Sequence, residues 1–259
     1  MLNIHALPAI KDNYIWVIQR SDKKGIYIVD PGEARPVQNY TARYSLPILG
    51  ILVTHQHWDH VTGIAELVEE HHCEVFGPAI ERVPQVTQPL REGDVITLWD
   101  DMVLSVMETP GHLPDHISYY FEFDGTPHLF CADTLFSAGC GRIFRGTFEE
   151  FKHSLDRIKA LPAETVLFPT HEYTLQNLNF AAAADPENTR ITEEIQRVKE
   201  IRANGEPSLP TSVERERAIN PFLRCDQPGL QRTFLARTGR KATNEVEVFK
   251  ELREWKNVF

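Results

Sequence analysis

No stretch of this 259-residue chain approaches the roughly 20 consecutive apolar residues that cross a bilayer, and Met1 to Pro8 contains no charged leader followed by an apolar core. A soluble cytoplasmic protein with no membrane partner is the expectation. Cysteine is scarce as well. Cys73, Cys131, Cys140 and Cys225 are widely spaced and form no CxxC pair. That removes a zinc ribbon and a dithiol redox motif, and leaves four thiols read as reduced and structural. Positive charge is in deficit, with Lys+Arg 27 against Asp+Glu 37 and a formal net charge of −10. Nucleic acid, which needs a basic field, is therefore not an expected partner. Apolar heptads are missing too, and a monomer is expected. The length suits one large domain, or a larger one followed by a smaller one.

Histidine, by contrast, is concentrated. The apolar run Ile48-Leu49-Gly50-Ile51-Leu52-Val53 reads as a buried strand, and Thr54-His55-Gln56-His57-Trp58-Asp59-His60 follows it directly. Three imidazoles and a carboxylate within six residues are donors that zinc, iron or manganese accept. Positions two apart in an extended segment point the same way, so His55 and His57 can converge on one ion. Asp59 and His60 are adjacent and begin a helix, marked by Ile64, Leu67, Val68 and His71 at helical spacing, so they diverge toward a second ion.

Along the rest of the chain, strand-like runs repeatedly end in a turn bearing His or Asp. Residues 14–20 and 26–30 read as a hairpin across the polar stretch 21–25. Residues 74–78, 95–99 and 103–107 read as strands, and the last runs into Thr109-Pro110-Gly111-His112. Residues 117–121 and 128–131 flank the turn 124–127 and lead to Asp133, and 165–169 lead to His171. Ligands at the ends of neighbouring strands can meet at one sheet edge although they are distant in sequence. His112 then completes three nitrogens with His55 and His57, His171 joins Asp59 and His60, and Asp133 has two oxygens with which to bridge both ions. Thr147 with Glu150 fits a capping box opening a helix that presents Phe151, Leu155 and Ile158. Beyond Tyr173 the pattern turns helical over 175–184, from Ile191 to a stop at Asn204-Gly205, over 213–219 and over 245–256. This divides the chain into 1–173 and a smaller helical part, 174–259.

These residues resemble the metallo-β-lactamase superfamily, whose αββα sandwich presents an HxHxDH motif and later His, Asp and His ligands along one edge. Within it, Asp12-Asn13-Tyr14, Gly139-Cys140-Gly141-Arg142, His171-Glu172-Tyr173-Thr174, Asn220-Pro221-Phe222-Leu223-Arg224 and the terminal Arg253 and Lys256 are similar to the glyoxalase II family, the hydroxyacylglutathione hydrolases. The resemblance implies a four-layer α/β fold with a C-terminal helical domain contributing to the substrate site. It implies two divalent ions, zinc first, with iron or manganese also suited. His55, His57 and His112 would hold one, Asp59, His60 and His171 the other, and Asp133 both. It implies a glutathione site at Arg142, Tyr173, Arg253 and Lys256. Cationic side chains suit the two carboxylates of glutathione.

The implied reaction is hydrolysis of a glutathione thioester, S-D-lactoylglutathione to D-lactate and glutathione, in methylglyoxal disposal. A water or hydroxide between the ions, its pKa lowered from about 15.7 toward about 7, would attack the carbonyl. Asp59 and Asp133 would serve both as ligands and as groups orienting that nucleophile. Two departures stand out: Arg142 and Phe144 occupy positions where the family often has lysine and tyrosine, and Leu113-Pro114-Asp115 separate His112 from His116, which is not counted as a ligand. Other readings remain at this point: a lactonase, a β-lactamase, another thioesterase, a nuclease, a one-iron sulfur dioxygenase, or a non-catalytic metal binder.

Overall fold

The computed structural model describes residues 1–259. Contacts divide them into two units, Met1–Glu108 with Asp115–Ala132, and Thr109–Pro114 with Asp133–Phe259. In chain order the first unit contains β1 (Leu2–Ala9), β2 (Asn13–Arg20), β3 (Ile26–Val29), α1 (Ala34–Tyr44), β4 (Ile48–Leu52), α2 (Trp58–Val61), α3 (Ile64–His71), β5 (Glu74–Pro78), β6 (Gln88–Leu90), β7 (Val95–Leu98), β8 (Met102–Glu108), β9 (Ile117–Phe123) and β10 (Thr126–Phe130). The second contains β11 (Leu135–Phe136), β12 (Gly139–Cys140), α4 (Phe148–Lys159), β13 (Val166–Leu167), α5 (Thr174–Ala184), α6 (Thr189–Ala203), β14 (Thr211–Ser212), α7 (Val213–Ile219), a 3-10 turn Pro221–Leu223, α8 (Pro228–Thr238) and α9 (Glu245–Val258).

Strands β1 to β6 form one sheet in that order, antiparallel from β1 to β3 and parallel from β3 to β6. The central strands are buried on both faces, which is why β3 and β4 read as unbroken apolar runs. Period-two alternation sorts their side chains. Ile15, Val17, Ile26, Ile28, Ile51 and Val53 join Val37 of α1 and Ile64 and Leu67 of α3 in one core. Each such side chain contributes about 1.5–3 kcal/mol when fully buried. The other face meets β7 to β10, where Tyr27 packs edge-on against Trp99 at 4.8 Å and the Tyr119 hydroxyl donates to the Val53 carbonyl at 2.6 Å. The Ile117 amide donates to the Thr54 carbonyl at 3.0 Å. The end of β4 is thus pinned where the histidine motif begins.

In the second unit the Thr147 capping box forms in full, and α4 buries Phe151, Leu155 and Ile158 as its spacing predicts. Lys152 on α4 bridges to Glu245 of α9 at 2.9 Å, and Phe249 of α9 packs edge-on against Phe151 and Phe222. Helices α5 and α6 share a core of Leu178, Ala181, Ile191 and Val198. Residues 133–173, grouped by sequence with the β-rich part, fall with the helices in this division. Ser154 on α4 donates to the Pro110 carbonyl at 2.7 Å, which gathers the His112 loop into the same unit.

The elements not expected from sequence are β1, α1, β6, β11, β12, β14, the 3-10 turn and α8. Helices α1 and α8 each carry proline in their first turn, where the missing N–H has no helical partner to lose. The turn expected over 124–127 narrows to Asp124-Gly125, both at positive φ (49° and 76°), a two-residue hairpin that lets β10 begin at Thr126. No helix is long and apolar enough to cross a membrane.

Candidate metal centre and its surroundings

In the first unit the motif leaves β4 extended and turns into α2, so His55 and His57 precede the helix while Asp59 and His60 lie on it. His55 Nε2 and His57 Nδ1 come to 3.1 Å of each other. Two nitrogens on one tetrahedral zinc at about 2.0–2.1 Å stand roughly 3.3 Å apart, so this separation suits two donors converging on an ion.

The protonation of these rings follows from what surrounds them. The His60 Nδ1 lies 3.0 Å from Asp30 Oδ2, which accepts, so Nδ1 carries the proton and Nε2 carries the lone pair. The Thr54 hydroxyl donates to the same carboxylate at 2.7 Å, which commits its proton. It therefore accepts from His55 Nδ1 at 3.0 Å, and His55 too is left with its lone pair on Nε2. One buried carboxylate sets two tautomers. Asp30 holds φ 51°, a left-handed backbone costing about 1–3 kcal/mol for a residue other than glycine. The Thr54 amide, donating at 2.8 Å, and the two contacts above offset that strain. Asn13 donates to both the main chain and the carboxylate of Asp59, at 3.2 and 3.1 Å. Gly32 admits the turn, since a Cβ there would lie 1.8 Å from the Asp59 carbonyl oxygen.

In the second unit Asp133 faces a different histidine with each oxygen. Oδ2 lies 3.4 Å from His112 Nε2, and Oδ1 lies 3.4 Å from His171 Nε2. Both are long for charge-assisted hydrogen bonds, which run about 2.7–2.9 Å, and both match the edge between ligands of one ion. The His112 Nδ1 is 2.8 Å from the Arg142 carbonyl, which can only accept, so His112 also offers Nε2. Gly141 is required beside it: a Cβ would stand 2.2 Å from the Asp133 carbonyl oxygen and 2.8 Å from His112 Nδ1. The donors are nitrogen and oxygen only, with tautomers fixed by outer partners, and these His and Asp groups fit divalent metal ions.

Of the residues expected to bind glutathione, Arg142 is exposed and Tyr173 is half-buried, its ring stacked on His171 at 4.7 Å. Lys256 stands over the Phe180 and Phe259 rings at 5.3 and 5.8 Å. Burial, with the repulsion of Arg253 and Arg142, pushes its ammonium down to about 8. Arg253 is buried and turned inward: its Nη1 donates to the Cys140 and Gly141 carbonyls at 2.8 and 3.3 Å and its Nη2 to Asn257 at 3.2 Å. Phe144 is 60% exposed, with its ring edge-on to His112 at 5.2 Å. His116 is buried and stacks on His55 at 4.8 Å.

Sequence reasoning missed Asp30 and Thr54 as partners of the histidines. Asp30 closes the run 26–30 that reads as a strand, and nothing local tells that its carboxylate points at the next strand's motif.

Residues 11–171 match the model of the metallo-beta-lactamase superfamily, and residues 172–259 match the hydroxyacylglutathione hydrolase C-terminus. The solved structure of ETHE1 from Myxococcus xanthus superposes with a TM-score of 0.67 over 98% of this chain and 90% of its own, at 22% identity. Fold and site thus define a metallo-β-lactamase superfamily protein, an αββα architecture followed by a helical C-terminal domain. The hydroxyacylglutathione hydrolase of Saccharophagus degradans is 43% identical, covering 100% of this chain and 97% of its own. That of Vibrio parahaemolyticus is 45% identical, covering 100% of both. The chain belongs to the hydroxyacylglutathione hydrolase family.

Proposed function

We propose that this chain hydrolyses glutathione thioesters, with S-D-lactoylglutathione as substrate and D-lactate and glutathione as products, at a binuclear metal centre. His55, His57, His112 and Asp133 would hold one ion, Asp59, His60 and His171 the other, and Asp133 would serve both. The observation that carries the reading is the divided carboxylate of Asp133, each oxygen 3.4 Å from a different histidine Nε2. Zinc is the proposed occupant, with iron or manganese compatible with the same donors. Bound there, the ions supply an acidified water and a Lewis acid for the thioester carbonyl.

The chain's own residues do the rest. Asp30, directly at His60 and through Thr54 at His55, and the Arg142 carbonyl at His112 fix the Nδ1 proton and leave three Nε2 atoms outward, so these rings need no rearrangement. Asp59, held by Asn13, and Asp133 orient the attacking water. Arg142, Lys256 and Arg253 raise a positive potential suited to the glutathione carboxylates, and Tyr173 offers a phenol from its stack on His171. The sequence unit 1–173 would supply the chemistry together with Arg142 and Tyr173, and 174–259 would contribute Arg253 and Lys256 to the substrate site. Four free, buried cysteines suit a monomer working in the reducing cytoplasm.

The test is metal analysis of purified protein alongside assays on lactoylglutathione, a β-lactam and a phosphodiester. Two ions per chain and turnover of the thioester are expected. Turnover of the phosphodiester alone would overturn the assignment.

A further inference from the structure

Glu216 is fully buried on α7, and its carboxylate accepts from four groups. Oε1 receives the Ser137 and Thr211 hydroxyls at 3.0 and 2.7 Å, and Oε2 receives the Ala138 amide and Asn220 Nδ2 at 2.8 and 3.0 Å. Burial raises its pKa, and these donors oppose the rise by stabilising the charged form. An ionised carboxylate buried in this way is costly unless every lone pair is used, and here the donors converge on one object.

That object is the hairpin of β11 and β12. Its turn is Ser137-Ala138, with Ala138 in left-handed backbone at φ 55° although it is not glycine. Asn220 donates to the Phe136 and Gly139 carbonyls at 3.2 and 2.9 Å, and Asn177 of α5 to the Ser137 carbonyl at 3.1 Å. On the outgoing side Arg253 of α9 holds the Cys140 and Gly141 carbonyls. Three helices therefore grip one two-stranded hairpin from inside. Two residues follow it closely: Gly141, which packs directly on the His112 ring, and Arg142, whose carbonyl receives His112 Nδ1.

We propose that Glu216, with Asn220 and Arg253, is a positioning residue for the metal centre: it locks the 135–142 hairpin so that the Arg142 carbonyl holds the His112 ring with Nε2 presented to the ion. This rests on His112 being a metal ligand, as read above. The helical region then acts on the chemistry through a hydrogen-bonded chain, and Arg253 contributes by holding main-chain carbonyls.

The test compares wild type, E216Q and N220A with V37A, a truncation in the separate core between α1 and α3 that lowers stability and has no hairpin residue in its cluster. The His112 side-chain resonances are followed by nitrogen-15 NMR in metal-free protein, and metal retention is followed by competition with a chelator. Glutamine can keep its carbonyl oxygen for the Ala138 and Asn220 donors, but its NH2 then faces the Ser137 and Thr211 hydroxyls, which must reverse to accept, and the charge that strengthens all four bonds is gone, so E216Q is expected to shift His112 Nδ1–H and speed its exchange with water. Both E216Q and N220A should release metal at chelator concentrations about tenfold lower than wild type, while V37A matches wild type in both readouts. Should E216Q fail to fold, N220A alone decides. A His112 resonance and metal retention unchanged in the folded variants would overturn the proposal. Wild type purified without metal-binding capacity would instead overturn the functional reading, and the His112 resonance in metal-free protein still decides the positioning role.

Discussion

Residues 54–60 and the trio His112, Asp133 and His171 are proposed to carry the same chemistry, but different forces hold them. In the first region the ligands are neighbours in sequence, and one strand end plus one short helix sets their directions. A single carboxylate, Asp30, fixes two rings. In the second the ligands sit on separate loops, and the main chain fixes the ring of His112 through the Arg142 carbonyl. A local motif needs few supports. A dispersed one needs a scaffold, and here buried polar side chains of the C-terminal helices supply it.

Removing Asp133, the residue proposed to serve both ions, tests the contrast hardest. D133A should lose at least one of two metals and drop kcat/KM by roughly 10³-fold or more, because several kcal/mol of charge stabilisation disappear; a variant with two ions and full turnover would break the comparison. Next, D30A should weaken metal binding or activity by about 10–100-fold. It should also perturb His55 and His60 together while leaving His112 unchanged in histidine NMR, and a change confined to one ring would contradict the shared control.

Lys256 separates substrate capture from chemistry. Its pKa is lowered to about 8, so it is charged below that pH and neutral above it. KM for the thioester should be flat below pH 8 and climb above it, with kcat unaffected by this group. K256M should raise KM roughly tenfold at pH 7 and abolish the climb; a kcat defect of equal size would place Lys256 in the chemistry instead. The smallest effect is expected from F144Y. Restoring a hydroxyl on an exposed ring beside His112 should lower KM about threefold, the worth of one modest hydrogen bond. An unchanged KM would show that the glutathione chain does not pass that ring.

The ease of reading these regions from sequence follows the same division. The placement of His55 and His57 before a helix and of Asp59 and His60 on it was legible because it follows from one strand end, and the α4 cap and the α6 stop at Asn204-Gly205 because their chemistry is local. His112, Asp133 and His171 were legible only as a recurring pattern of strand ends, and their grouping into two ion sites is still a proposal. The partners of the histidines were not legible, because Asp30 meets His60 across 30 residues and Arg142 meets His112 across 30. Glu216 gave no signal at all: on a seven-residue helix rich in charge, it reads as solvated, and only the fold shows four donors converging on it. Arg253 was legible as a cation but not as a clamp on carbonyls.

A lysine poised near pH 8 also makes ligand capture and proton capture one event. An arriving carboxylate would favour the ammonium form, so in mildly alkaline solution complex formation would draw a fraction of a proton from the buffer. The heat of association would then depend on which buffer surrenders it, and calorimetry in two buffers of different ionisation enthalpy would count that fraction directly.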